Sequence, residues 1–365
     1  MRRRGVYAYP KKGFAMHMAN ELLSVPVAAG TLALAAGGMG FVCRKVSQAV
    51  TSQKLALMGI MGAFVFAAQM VNFQLPAMPG TSGHMVGAVL LAIILGPHAG
   101  VLVICSVVII QCLIFQDGGL LALGCNIINM ALVPGYLGYY LYSSFTAGSF
   151  SSLRTYIGTM LACMVAIEAG AVLVPIEAAL SGVLVVPFSV FLITMLGVHF
   201  LVGFVEGLIT VAVLAYLQQV RPDIVTGSLK GKIRLSRTAV LATLAMFAMV
   251  TAAGLSLFAS AMPDGLEWSY ADRPDQPEFE PVVSNKDSTI TAVDYFQDKY
   301  SLLPDYSVRT AKLGKVSDEK TNLSAGWTSF AGVAGSAITM LTVWLVARLL
   351  RKKQAPKDGI CTTHT

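Results

Sequence analysis

Charge is scarce in this 365-residue chain. Asp, Glu, Lys and Arg together make up 12% of it, about half the share found in soluble globular domains. Apolar residues make up 55%, mean hydropathy is +0.69, and the apolar stretches approach or exceed the ~20 residues that cross a bilayer. A soluble fold is therefore excluded, and the chain reads as an integral membrane protein facing lipid. Other absences narrow the function. No G-x-x-x-x-G-K-[ST] phosphate loop is present, so energy from ATP would have to come from another protein. There is no H-E-x-x-H, and no nucleophile can be placed beside a base, so the chain does not read as an enzyme. No C-x-x-C occurs, and five of the six cysteines lie in or beside apolar runs, as small hydrophobes rather than disulfides or ligands. The 17 methionines are scattered through the spans and read as packing. There is no clear repeat and no low-complexity tract. The formal charge of +7 is not a nucleic-acid signal, because the basic residues cluster at span ends.

The expected fold is all-α, a polytopic transmembrane bundle of about seven core helices plus a C-terminal two-helix unit. Candidate spans are 22–43, 55–75, 84–96, 99–116, 120–146, 155–180, 186–218, 238–261 and 326–349. The third is short and breaks at Gly96-Pro97, which predicts a hairpin with the fourth. The seventh is too long for a perpendicular crossing and must tilt or extend past the membrane. Arg44, Lys45 and Lys54, then Arg154, then Arg221 to Arg237, then Arg348 to Lys353 all fall on one side under this count. That side is expected to be the cytoplasm. The N-terminus is then outside, the C-terminus inside, and the location a bacterial inner membrane.

The expected divisions are an extension 1–15, a core 16–218, a basic cytoplasmic linker 219–235, a module 236–355 and a tail 356–365. The module's outside loop, 262–324, carries twelve acidic and seven basic residues. It opens with the turn-forming Pro263-Asp264-Gly265. Segment 289–296 reads as a short strand or helix.

Residues 1–15 place Arg2, Arg3, Arg4, Lys11 and Lys12 on the outer side, against the charge rule, and lack a signal peptide's apolar stretch. Either translation starts at Met16, the favoured reading, or the extension is real and is removed or tolerated. A start at Met16 would create a chelate. The Met16 amine and the His17 amide nitrogen close a five-membered ring on a metal. The same amide and the His17 ring Nδ1 close a six-membered one. Three nitrogens then leave a fourth corner for His84, expected on the same side, and a square plane of nitrogens favours Ni(II) or Cu(II). The small residues Gly80, Thr81, Ser82 and Gly83 before His84 allow close backbone approach. The plainer reading makes His17 interfacial and His84 a loop residue.

The chain resembles the CbiM/NikM family, the substrate-binding membrane component of energy-coupling-factor cobalt and nickel transporters. The resemblance rests on Met16-His17-Met18-Ala19, the run Gly62 to Phe73, Ser82-Gly83-His84, Leu95-Gly96-Pro97, Asp117 to Asn126, and His199 with Glu206-Gly207. These cover roughly 16–218. Pro263-Asp264-Gly265-Leu266-Glu267-Trp268 resembles the PDGLE-type module often fused to nickel-type members and similar to their small NikN partner. The resemblance implies metal held by Met16, His17 and His84, Ni2+ or Co2+ as cargo, a coupling membrane subunit and cytoplasmic ATPase subunits. The 1–15 extension departs from the pattern, since its retention would remove the Met16 amine. Nickel is favoured over cobalt. Acidic oxygens suit a square nitrogen plane poorly, so loop 262–324 is expected to assist loading or exclude competitors, not to hold the ion.

Gln69 and Asn72 are candidates for supporting the His84 loop. Glu168, His199 and Glu206 are costly inside a membrane and need a reason. They read as a polar track, a brace or interhelical hydrogen bonding. The competing function is an autonomous proton-coupled secondary transporter that uses them as a relay, but no inverted repeat supports it. Asp117 is expected to start a turn with Gly118 and Gly119 rather than to ligate.

Overall fold

The computed structural model describes residues 17–146, 153–226, 233–260, 262–307 apart from 272, 277 and 286, and 320–351. Met16 and the 1–15 extension lie outside the described residues.

The chain enters at His17, makes a single 3-10 turn at Asn20–Leu22, and starts α1 (Val25–Ala49) with Pro26 in its first turn. Proline is well placed there, because its missing N–H would have no helical partner anyway. Helix α2 (Ser52–Gln69) returns and leads into a two-residue ladder. In it β1 (Phe73–Gln74) pairs antiparallel with β2 (Ser82–Gly83), Phe73 opposite Gly83. Helices α3 (Ala88–Leu95) and α4 (Pro97–Phe115) pack together across Gly96, whose φ of +80° makes the corner. Then come α5 (Leu123–Ile127), a π-helical turn (Ile128–Leu132), α6 (Val133–Thr146), α7 (Leu153–Leu180), α8 (Phe188–Val220) and the short α9 (Pro222–Thr226). The module supplies α10 (Arg237–Ala253), α11 (Gly265–Tyr270), α12 (Ser288–Tyr300) and α13 (Lys320–Leu350).

The protein is a multi-pass, all-α membrane protein. Six described helical segments are long and apolar enough to cross a bilayer by length and composition: Val25–Ala49, Pro97–Phe115, Leu153–Leu180, Phe188–Val220, Arg237–Phe258 and Gly326–Leu350. The third expected span is only half helical. Helix α3 has eight residues, about 12 Å of rise against a hydrocarbon thickness of about 30 Å. Its corner nevertheless reaches the far end of the bundle, where the His98 ring lies 5.6 Å from the Phe41 ring, edge to face, near the end of α1. The rest of that crossing is extended chain around His84, and every residue of α3 is buried. Segment 289–296, read as strand or helix, is helix, and Asp287 caps it by accepting from the Thr289 N–H.

Helix directions sort the polar residues. Residues 17–24, 70–87 and 116–122 lie at the end where α1 starts and where α2 and α4 finish. The opposite end holds the α1–α2 connection and the one between α8 and α10. There Arg237 Nη1 donates to Gln53 Oε1 at 2.6 Å, and Arg351 Nη1 bonds the Ser52 hydroxyl.

The module is not a separate lobe. Helices α10 and α13 both pack on α2, and Ser336 Oγ donates to the Ala63 carbonyl at 3.3 Å. Phe66 and Phe115 from the core share a buried apolar cluster with Tyr306 and Ala331 from the module. A second cluster joins Met18, Leu22, Phe191 and Met195 to Leu266, Tyr270 and Val282.

Candidate functional site

His17 and His84 meet. Their ring centroids are 6.0 Å apart at an interplanar angle of 56°, and the residues are 2% and 8% exposed. They lie 67 positions apart in sequence, so two local devices bring them together.

The His17 strand is held from the α4–α5 turn. Asn126 Oδ1 accepts from the Met18 N–H at 2.9 Å, and its Nδ2 donates to the Met18 carbonyl at 3.1 Å. Gly119 N also donates to that carbonyl, and Asn20 Oδ1 accepts from Leu121 N. The turn is possible because Gly118 has φ +85°, and a Cβ there would come within 2.7 Å of the His17 Cβ.

The His84 strand is held from the module. Ser82 N donates to the Pro263 carbonyl at 2.9 Å, and Ser82 Oγ donates to the Met262 carbonyl at 2.9 Å. A parallel bridge pairs Ser82 with Asp264. Within the core, Gln69 Nε2 donates to the Val86 carbonyl at 2.8 Å.

Each imidazole faces a buried carboxylate. His17 Nδ1 is 2.8 Å from Asp117 Oδ1, and the other oxygen, Oδ2, accepts from the Tyr306 hydroxyl at 2.6 Å. Burial alone would raise the Asp117 pKa, but the His17 ring and the Tyr306 hydroxyl bring it below the usual carboxylate range. Burial beside that carboxylate pushes the Tyr306 phenol well up. His84 Nε2 is 3.5 Å from Asp264 Oδ2, while Asp264 Oδ1 caps α11 by accepting from Glu267 N.

A cavity of about 70 Å³ adjoins the two rings, lined by Met18, Asn129, Met195, His199 and Asp264 among others. A water molecule's share of liquid volume is about 30 Å³, so an ion with one or two waters fits. Among the described residues, no three His, Cys, Asp or Glu side chains form a set able to hold a metal. His17 and His84 supply two imidazoles, and His199 lines the cavity beside them. His17 Nδ1, the nitrogen a six-membered chelate with its own amide requires, faces Asp117 in this form. Chelation there requires the ring or the carboxylate to move. His17 Nε2 is buried with no hydrogen-bond partner among the described residues.

The remaining predicted residues divide. Gln69 bonds the backbone two residues past His84. The Asn72 backbone carbonyl accepts from Ser260 N at 2.7 Å, while its Oδ1 has no hydrogen-bond partner among the described residues. Glu168, His199 and Glu206 show no bond to one another. His199 lines the cavity and has Nδ1 2.8 Å from the Met195 carbonyl, Glu206 bonds the backbone past His84, and the buried Glu168 Oε2 has no partner among the described residues. Sequence reasoning gave Asp117 a turn role, yet it also faces His17. The acidic loop, expected to assist loading or exclude competitors and not to hold the ion, sets Asp264 beside His84 and Tyr306 beside Asp117. The PDGLE-like motif was the available signal for Asp264. Tyr306 had none.

Residues 17–224 match the family described as the cobalt uptake substrate-specific transmembrane region, CbiM. The chain belongs to that family. Residues 238–352 match the PDGLE domain. A protein of Archaeoglobus fulgidus with the provisional name fused nickel transport protein NikMN is 39% identical over 58% of this chain and 68% of its own. The fused nickel transport protein NikMN of Rhodobacter capsulatus is 30% identical over 57% of this chain and 63% of its own. The cobalt transport protein CbiM of Acetohalobium arabaticum is 32% identical over 42% of this chain and 67% of its own. This is therefore a CbiM-family membrane protein fused to a NikN-like C-terminal module.

Proposed function

We propose that this CbiM-family chain is the substrate-capture membrane component of an ATP-driven energy-coupling-factor importer for nickel or cobalt, with nickel favoured. The observation that carries this reading is the pairing of two buried imidazoles 6.0 Å apart beside a cavity. Met16, His17 and His84 are the proposed donors: terminal amine, His17 amide and ring, and His84 ring. That set needs a chain that begins at Met16. Nickel is favoured because four nitrogens in a plane suit it, and because the fused relatives carry nickel in their names.

In this reading 16–218 is the capture core, 219–235 a cytoplasmic linker and 236–355 a module that closes the outer end. The N-terminus faces outward, and the basic end bearing Arg237 and Arg351 is cytoplasmic. A membrane coupling subunit and cytoplasmic ATPase subunits supply the energy, and the chain itself hydrolyses no ATP. A proton relay through Glu168, His199 and Glu206 is disfavoured, because Glu206 is engaged with backbone and the three form no chain.

Calorimetry on the purified chain, with its N-terminus defined by intact mass, tests the reading. Tight binding of Ni(II) or Co(II) without ATP hydrolysis is expected. Full-length protein with undiminished affinity would remove the Met16 amine from the ligand set. Proton-driven uptake into vesicles by this chain alone would replace the capture reading with the secondary transporter.

A further inference from the structure

Glu206 lies on α8, one of the longest and most apolar helices, and is 1% exposed. A carboxylate at that depth is costly without strong partners, and its partners are not cations. Oε2 accepts from Val86 N at 2.7 Å, and Oε1 accepts from Gly87 N at 3.0 Å. We propose that Glu206 is a positioning residue for metal capture: its two oxygens hold consecutive backbone N–H groups just past His84 and fix where that ring enters the cavity. This rests on the capture reading above.

The grip has two points. One helical turn before Glu206 on the same face of α8 is Val202. Its Cγ2 would be 2.7 Å from a Cβ at Gly83, so the chain just before His84 lies directly on α8. Val202 thus seats the residue before His84, and Glu206 holds the second and third residues after it. From the opposite side, α2 donates Gln69 Nε2 to the Val86 carbonyl. Residue 86 is therefore fixed at its N–H by α8 and at its carbonyl by α2. Gly87, with φ +80°, turns the chain into α3, whose first N–H groups have no helical acceptor. A carboxylate there also complements the positive end of the helix.

Only a carboxylate meets this requirement. Both groups it faces are donors, so both of its atoms must accept. Glutamine offers one acceptor and turns an NH2 against an N–H. Aspartate keeps both acceptors but reaches about 1.5 Å less, one C–C bond.

The test uses the purified full chain as wild type, Glu206→Gln and Glu206→Asp, with Ni(II) calorimetry, Cu(II) electron paramagnetic resonance and thermal unfolding. Residues that orient a metal ligand typically contribute 10- to 100-fold in affinity. Glu206→Gln is expected to lose that much Ni(II) affinity and to shift the Cu(II) spectrum, because His84 no longer meets the ion squarely. Glu206→Asp should fall between Gln and wild type, and it serves as the decisive variant if Glu206→Gln does not purify folded. A variant with a lowered unfolding temperature but wild-type affinity and spectrum would assign Glu206 to stability alone and overturn the proposal. Wild-type protein that binds neither Ni(II) nor Co(II) would overturn the capture reading itself, and this proposal with it.

Discussion

The two histidines of the site are alike in burial and each faces a carboxylate, but they depend on different parts of the chain. His17 is served by the core: Asp117 lies 2.8 Å away in the α4–α5 turn, and Asn126 locks the neighbouring backbone. The module stands behind that core layer: the Tyr306 hydroxyl donates to Asp117, Gln297 donates to the Gly118 carbonyl at 2.7 Å and accepts from Leu120 N at 3.0 Å, and Asp294 accepts from Asn20 Nδ2 at 2.7 Å. His84 is served by the module: Asp264 stands 3.5 Å away, and Met262 and Pro263 hold Ser82. The core adds Gln69 and Glu206 behind the loop. The fused module thus braces both halves of the site but sets a carboxylate directly against a histidine only in the second, close to the proposed donors though not counted among them.

The largest expected effect comes from the rings themselves. His17→Ala and His84→Ala should each weaken Ni(II) binding beyond a hundredfold by calorimetry, while the protein still inserts and purifies. Retained binding in either variant would move the site elsewhere, with His199 as the next candidate, and would dissolve the comparison.

Replacing the carboxylates compares the sides directly. Asp117 holds the His17 Nδ1 that the chelate needs, so Asp117→Asn should raise Ni(II) affinity by up to about tenfold, whereas Asp264→Asn should lower it about tenfold or less. A loss of affinity in Asp117→Asn would mean that the metal meets His17 at Nε2, with Asp117 orienting the ring.

The smallest expected change is Tyr306→Phe. The ring would remain stacked on Phe115, at a centroid distance of 4.8 Å, and only the hydroxyl bond to Asp117 would be lost. A hydrogen bond to a charged group contributes about 1.5–3 kcal/mol, and part of that holds Asp117 on the His17 nitrogen that the chelate needs. A gain of about threefold or less in affinity is expected. A clear loss would mean that Asp117 orients the bound ring instead of competing for it.

The sequence by itself determined the membrane class, the helical architecture and the two histidines that meet. Long apolar runs have few structural solutions in lipid, because every backbone polar group must find its partner within a helix or a closed barrel. A histidine before the first span and another in a glycine-rich turn were visible for similar reasons: each stands alone against an apolar background. Tertiary structure alone decided what lies behind them. Asp117 looked like part of a glycine turn because local pattern reports turn geometry, not what the turn faces. Tyr306 sits in a single 3-10 turn with no periodicity to mark it, and it reaches Asp117, 189 residues away, where that turn packs on α4 and α13. The half-helical third crossing had a local signal in Gly96-Pro97, but its depth depends on Glu206 and Gln69 from helices distant in sequence. Pairings of that kind are fixed by packing between segments, and packing leaves no mark in the spacing of either segment.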